Sequence, residues 1–324
     1  MRLLDRLVAL FREKPPSAVT VEELLKNRAP GQIRLGYTEA YDPVHLTYRD
    51  LRRHIAVFGE GKAGLSNLLN IVLVQHAAQG GGFLYLDGNV DADTDTLLHG
   101  WLDRIGRGKD FDRVRREVSP AAWNNPERYA RCMRIPLRDI RDNARQQDRM
   151  RRFIAHLMSS YAARSHVSDA LPFLVILDRC AGLAGPELRE LFQVGRRHNF
   201  AIIYADRTDL TQAHLSDPYF VEVLLAHTST KIFLKTRGMT HPSLDAHLGA
   251  YASHNLDRPL ADLQIGEALL HCAPAQSRFG AGGELDAKHF TRIREEGDEQ
   301  LSESATQGEL TFIRVPYLKP APSR

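Results

Sequence analysis

Cysteine is scarce: Cys132, Cys180 and Cys272 are the three in 324 residues. None forms a C-x-x-C pair, which argues against a disulfide framework or a zinc site and fits packed or surface thiols in a reducing compartment. Long apolar runs are also missing, and nothing approaches the ~18 consecutive apolar residues of a membrane span. Charge of one sign is not in excess, with 43 Lys and Arg against 40 Asp and Glu, so net charge by itself argues for no nucleic-acid partner. The 14 histidines are scattered without an HExxH pair, which excludes the common metal-hydrolase pattern. Asp87, Asp91, Asp93 and Asp95 lack the glycine and terminal glutamate of a calcium loop. What the chain has is 43% apolar and 26% charged residues, enough for one large or two modest globular domains.

One segment carries a recognisable chemistry. The run His54-Ile55-Ala56-Val57-Phe58 leads into Gly59-Glu60-Gly61-Lys62-Ala63-Gly64-Leu65-Ser66, and a helical stretch from Asn67 to Gln79 follows. Strand, glycine loop and helix in that order match the phosphate-binding pattern G-x-x-x-x-G-K-[ST], in which backbone N–H groups cradle phosphates, the lysine meets the β- and γ-phosphates and the hydroxyl holds Mg²⁺. Gly59, Gly64 and Ser66 fit, while Leu65 stands where the lysine belongs. A leucine cannot neutralise a triphosphate. The nucleotide-binding candidates are therefore Gly59, Gly61, Lys62, Gly64, Leu65 and Ser66, with Lys62 as the displaced cation and Ser66 with Asp178 as the Mg²⁺ pair.

Hydrophobic patterning organises the rest. Met1–Lys14 reads as an amphipathic helix ended by Pro15-Pro16, suited either to an anionic membrane surface or to docking on its own domain or a partner protein. Residues 1–30 form this helix and a linker, and 31–320 the main domain. Gln32–Tyr37 and Val44–Tyr48 predict a small N-terminal β-hairpin. Apolar runs at Phe83–Asp87, Leu171–Asp178, Phe200–Ala205 and Thr230–Leu234 alternate with helical stretches at Thr94–Ile105, Pro186–His198 and Tyr219–Ala226. That alternation predicts an α/β, doubly wound, mostly parallel sheet with flanking helices. Glu267–His271 and Leu310–Val315 are β-prone and flank a Gly-, Ser- and Glu-rich segment, Gly280 to Gln307, read as a loop or mobile helix. Between Gly106 and Ser168, Arg138, Arg141, Arg145, Arg149, Arg151 and Arg152 interleave with Asp139, Asp142 and Asp148. This reads as a reduced helical insertion, about 106–170, in the form of a long solvated helix laced by ion pairs, with a DNA-facing surface as the competing reading.

The layout resembles a RecA-like motor, and more narrowly the TraD/TraG-like coupling proteins of conjugation and type IV secretion within the FtsK/HerA group. The resemblance rests on His54–Ser66, on Gly80–Gly88, on Pro172–Asp178 with Ala181–Gly185, on Gly195–Phe200, and on Thr230–Ile232 with Gly266–Ala268, covering roughly residues 31 to 318. It implies a P-loop NTPase of RecA-like fold, an arginine finger at Arg196, and assembly with other subunits, as a homo- or hetero-oligomer, of a secretion or conjugation apparatus. It also implies a cytoplasmic place, peripheral at the inner membrane. Arg196 has a plainer reading too, in which it and Arg197 answer a helix dipole.

The departures from the family matter as much. Its Walker B strand ends in Asp-Glu, where this chain has Asp178-Arg179; its γ-phosphate-sensing glutamine is replaced by Ala205-Asp206-Arg207. No apolar pair of spans precedes the loop, and the stretch between Ile105 and Leu171 is short for the family's all-helical domain. Positioning lysine, general base and sensor are distinct contributions to phosphoryl transfer, and all three are altered. The expectation is a catalytically degenerate coupling-ATPase-like subunit, an accessory, scaffold or regulatory component beside a competent paralogous ATPase, with no confident catalytic residue and no retained cofactor. The alternative is an active DNA-translocating motor using ATP and Mg²⁺ through Lys62. Arg179 paired to Asp178 would fill the metal site with an internal ion pair.

Overall fold

The computed structural model describes residues 17–26, 29–89, 93–113, 132–137, 144–162, 171–236, 241–244, 260–272 and 309–321. The expected helix at Met1–Lys14, the segment Gly280 to Gln307, and Arg138 with Arg141 lie outside the described residues.

In chain order the elements are β1 (Ala18–Val19), α1 (Val21–Leu25), β2 (Gln32–Tyr37), β3 (Pro43–Thr47), α2 (Tyr48–Arg52), β4 (Ile55–Phe58), α3 (Leu65–Ala78), β5 (Phe83–Asp87), α4 (Thr94–Arg104), β6 (Phe111–Arg113) and β7 (Cys132–Pro136). They continue with α5 (Ala144–Ala162), β8 (Phe173–Asp178), α6 (Pro186–Val194), β9 (Phe200–Asp206), α7 (Thr211–Ser216), α8 (Phe220–His227), β10 (Thr230–Leu234), β11 (Glu267–Cys272), β12 (Glu309–Arg314) and β13 (Tyr317–Leu318). Short helices begin where side chains can satisfy their first N–H groups. Thr20 with Glu23 and Thr47 with Asp50 each form a reciprocal capping box.

Among the described residues eleven strands form one sheet in the order β3-β2-β12-β11-β10-β4-β9-β8-β5-β7-β6. From β10 to β6 all neighbours run parallel, and from β10 to β3 all run antiparallel. The central strands β4, β5, β8, β9 and β10 are buried along their whole length, as strands covered by helices on both faces must be. One apolar cluster packs α3 and α4 against Ile55, Val57, Tyr85, Ile176 and Ile203. The other packs α5, α6 and α8 against Phe58, Val175, Ile202, Tyr204 and Phe233. Each such fully buried side chain contributes about 1.5–3 kcal/mol. The architecture is the expected α/β sheet, mixed and mostly parallel, with flanking helices.

One expectation is corrected. The stretch read as one long solvated helix contributes two strands, β6 and β7, to the parallel edge, and among the described residues its helix runs over Ala144–Ala162. Arg152 on that helix does pair with Asp148 one turn away, at 2.6 Å. The expected β2–β3 hairpin is present, and it joins the antiparallel edge of the sheet through Tyr37 opposite Arg314.

A row of amides on α3 explains how the hairpin is held. Gln75 accepts from Arg34 N and donates to its O, at 2.9 and 2.8 Å, and Gln79 does the same for Gly31 N and Gln32 O, at 2.8 and 2.9 Å. Spacing by four keeps such residues on one helical face, and Asn67, two such steps before Gln75, uses its amide in the same way further along. The side chains complete backbone hydrogen bonds that an exposed strand edge would leave open.

Candidate functional site

The chain leaves β4, crosses through α3 to β5, and later places β9 and β10 on either side of β4. The crevice at the carboxyl end of β4 is therefore where the strand order reverses, the position at which open α/β sheets receive ligands. The glycine loop sits there.

Its start is tethered on both sides: Gly59 N donates to Asp206 O at 3.0 Å and Glu60 N to Lys235 O at 3.1 Å. Gly59 has a packing reason to be glycine, since a Cβ there would lie 2.8 Å from the Leu234 Cβ. Farther along, Lys62 at φ 67° and Gly64 at φ 102° are left-handed, with Ala63 between them outside the positive-φ set. Such alternation turns successive N–H groups inward into a concavity that favours anions. Gly64 begins α3 without any side-chain cap, and no acidic residue occupies the first turn. The helix thus presents uncapped N–H groups and the positive end of its dipole. Gly61 and Lys62 are exposed and a Cβ at Gly61 would meet nothing within 4 Å, so the mouth is open.

Leu65 does not face this concavity. It is 3% exposed and packed in the cluster beneath α3, an apolar side chain occupying a core position where the pattern has a cation. Ser66, half-buried, follows in the first turn.

Asp178 closes β8, level with Asp87 on β5 and Ala205 on β9. It is fully buried; Oδ2 accepts from the Tyr85 hydroxyl at 2.8 Å, and Oδ1 has no hydrogen-bond partner among the described residues. Burial pushes this carboxyl up to about 7, and the charge of Asp87 adds to the effect. Burial also holds the Tyr85 phenol well above its ordinary value, with the Asp178 charge reinforcing it.

Arg179 does not pair with Asp178. Its backbone is left-handed, φ 54°, and Nη1 donates to Asn89 Oδ1 at 2.6 Å, directed toward β5 and away from the loop. In place of the internal ion pair that the sequence left open as an alternative stand two separate contacts, Asp178 with Tyr85 and Arg179 with Asn89. Asn89 is fixed in turn by Asp87, whose Oδ1 takes the Asn89 N–H at 2.9 Å. Arg134, fully buried on β7, forks onto Asp87 through Nε at 3.0 Å and through Nη2, and reaches Asp95 on α4 through Nη1. The acidic residues considered for a calcium loop thus hold an arginine in Asp87 and Asp95, while Asp91 lies outside the described residues.

At the sensor position, Asp206 is buried and accepts from the Tyr204 hydroxyl at 2.9 Å and from Arg207 N at 2.8 Å. Tyr204 packs with α6 and α8, whereas Ala205 faces α3, so the residue on the loop's side of β9 is a methyl group. Arg196 is exposed in the turn just before β9 begins, at the amino edge of the sheet. It is not gathered with the loop within this chain.

Mg²⁺ fits what is present in a restricted way. The Ser66 hydroxyl and the orphaned Asp178 Oδ1 would be its protein ligands, and Mg²⁺ commonly takes one or two protein groups and completes its shell with phosphate oxygens and water. Bound there, it would supply charge neutralisation to a phosphate chain. Among the described residues no group of three His, Cys, Asp or Glu side chains could hold a metal without such a chain.

Tyr85, Asn89 and Arg134 were absent from the sequence-based candidates. One of them carried a signal: Tyr85 shares the strand face of Asp87 by the two-residue period.

A glycine loop between a buried strand and a helix, at a switch point and one strand removed from a strand-ending aspartate, defines a P-loop-ATPase-like α/β fold. Among solved structures, the chain is similar over 98% of its length to the cytoplasmic domain of EssC, at 11% identity and a TM-score of 0.52. It is similar over 95% to the cytoplasmic domain of the Thermomonospora curvata type VII secretion ATPase EccC, at 12% identity and 0.53. A protein described as an ATPase matches 96% of the chain at 10% identity and 0.50. The chain spans 51% of the EssC chain, 29% of the EccC chain and 99% of the third. Identities this low establish the fold alone. No family model matches the chain, and no curated protein does. Among the described residues no helix is long and apolar enough to cross a membrane.

Proposed function

We propose that this chain is a catalytically degenerate P-loop subunit of a secretion or DNA-translocation apparatus, one that holds a nucleotide without hydrolysing it. The observation that carries the reading is the contrast within one crevice. The backbone cradle is formed, with left-handed Lys62 and Gly64 and an uncapped α3, while Leu65 is in the core and Arg179 stands in the place of the general base, turned toward Asn89. Backbone N–H groups and a helix dipole suffice to bind phosphate; cleavage needs a positioned water and transition-state charge stabilisation.

The motif order resembles that of type IV coupling proteins, and the likeness to EccC supports a secretion-ATPase lineage more broadly. Partners would be a competent ATPase of the same apparatus and further subunits, and Arg196, exposed just before β9 begins, would be offered to a neighbour rather than to its own loop. Equilibrium titration with labelled ATP, with and without Mg²⁺ and DNA, tests the reading: saturable binding without phosphate release supports it, and absent binding or sustained release removes it.

Lys62 supports a second reading, an active motor. A non-glycine residue held left-handed at a loop tip is the kind of strain that functional sites retain. Loss of an existing turnover on Lys62→Ala would establish that reading over the first.

A further inference from the structure

Four large apolar side chains stand exposed among the described residues, and two of them, Ile265 at 73% and Tyr317 at 54%, belong to segments whose backbone runs next to Gly64 and the start of α3. Ile265 immediately precedes Gly266, whose backbone N lies 3.8 Å from where a Cβ on Gly64 would be. Gly266 O takes the Val315 N–H at 2.7 Å, which brings the segment 315–321 alongside. That segment forms a strap across the first turn of α3 and the last turns of α4. Asn67 grips it from both sides, donating to Pro316 O at 2.9 Å and accepting from Leu318 N at 2.8 Å. Trp101 Nε1 donates to Lys319 O at 2.8 Å. Leu318 is buried in the core under the strap, and strand alternation turns its neighbour Tyr317 outward.

The direction of a bound phosphate chain follows from the topology. Its distal end belongs beside the strand-ending aspartate, and Asp178 lies on β8, two strands from β4 on the β9 side. The nucleoside must then leave the loop on the other side, over β10 toward β11 and the strap.

We propose that Ile265 and Tyr317 form the platform that receives the base of a nucleotide, held in place by the Asn67 clamp. The proposal rests on the nucleotide-binding reading above and adds to it a preference for a nucleotide over a bare polyphosphate. A planar base stacked on an aromatic side chain gains about tenfold or more in affinity without hydrogen-bond readout, so tolerance among bases is part of the expectation.

The test compares ATP with inorganic tripolyphosphate in calorimetric titrations of the full chain and of an Ile265→Ser, Tyr317→Ser double variant. Both side chains are exposed, so folding is not at stake, and the melting temperature checks this. The expected result is ATP binding about tenfold or more tighter than tripolyphosphate in the unaltered chain, with that gap erased in the variant by a loss on the ATP side alone. Asn67→Ala should narrow the same gap, and the Trp101 fluorescence would report the loosened strap. Equal affinity for both ligands, or a gap the double variant leaves intact, overturns the platform while leaving the proposed function standing. Binding of neither ligand overturns the proposed function itself.

Discussion

Tyr85 donates its hydroxyl to Asp178 across 2.8 Å from the neighbouring strand, and both groups are buried. The pair shares a face because Tyr85 precedes Asp87 by two residues and Asp87 is level with Asp178. This contact takes one carboxylate oxygen, and the other has no hydrogen-bond partner among the described residues.

Asp178 should destabilise the fold at high pH. Its carboxyl titrates near 7 in the folded chain against an ordinary 3.8, so the folded state holds more protons between those values and stability falls as pH rises through that window. Asp178→Asn should therefore raise unfolding free energy at pH 8 by about 2 kcal/mol or more and change little near pH 3.5. Urea unfolding at both pH values reads the difference; a variant less stable at pH 8 would contradict the assignment.

Two buried histidines act in the opposite sense. Burial lowers His54 and His76 to about 4 from 6.5, so the unfolded chain binds more protons between these values and stability rises with pH across that range. His76→Gln should flatten the acid limb of the pH–stability curve. A limb of unchanged steepness would show that His76 does not titrate this way.

Arg134 is expected to be the costliest single deletion near the site. Arg134→Met leaves Asp87 and Asp95 buried without their shared cation, a loss of about 3–5 kcal/mol. Replacing all three by apolar residues of similar volume should recover most of it. Chemical denaturation of the single and triple variants distinguishes a buried ion cluster from a surface pair, whose loss would register below ~1 kcal/mol.

Leu65→Lys separates the cradle from the chemistry. Removing a buried leucine costs about 2–5 kcal/mol, tempered where the lysine stem keeps apolar contact and its ammonium reaches the loop. Thermal melts should show lower stability alone and a larger gain on adding ATP than the unaltered chain shows, with turnover still absent until Arg179→Glu is added. Turnover from Leu65→Lys alone would mean that Arg179 does not block the reaction.

The sheet was legible because its strands are continuous apolar runs bounded by glycine and polar residues, and because the helices between them keep one apolar face. The glycine loop was legible from spacing alone. Strand β7 was not, since its five residues sit in an arginine-rich stretch whose composition reads as solvated, and only the sheet edge gives Cys132 and Met133 something to bury against. The partner choice of Arg179 was equally hidden. Adjacency to Asp178 in sequence suggests an ion pair, but successive residues at a strand end point in different directions, and the left-handed backbone at Arg179 carries its side chain to Asn89. Asn67 carries no motif at all. Its role depends on a strap about 250 positions later in the chain, which no local pattern contains.

The most direct test is a single-turnover experiment in which protein in excess is mixed with radiolabelled ATP, Mg²⁺ and DNA, and the protein-bound nucleotide is recovered and identified over time. A cradle without its catalytic groups should return the bound label as intact ATP. Recovery as ADP with released phosphate, or no bound label, would contradict the account.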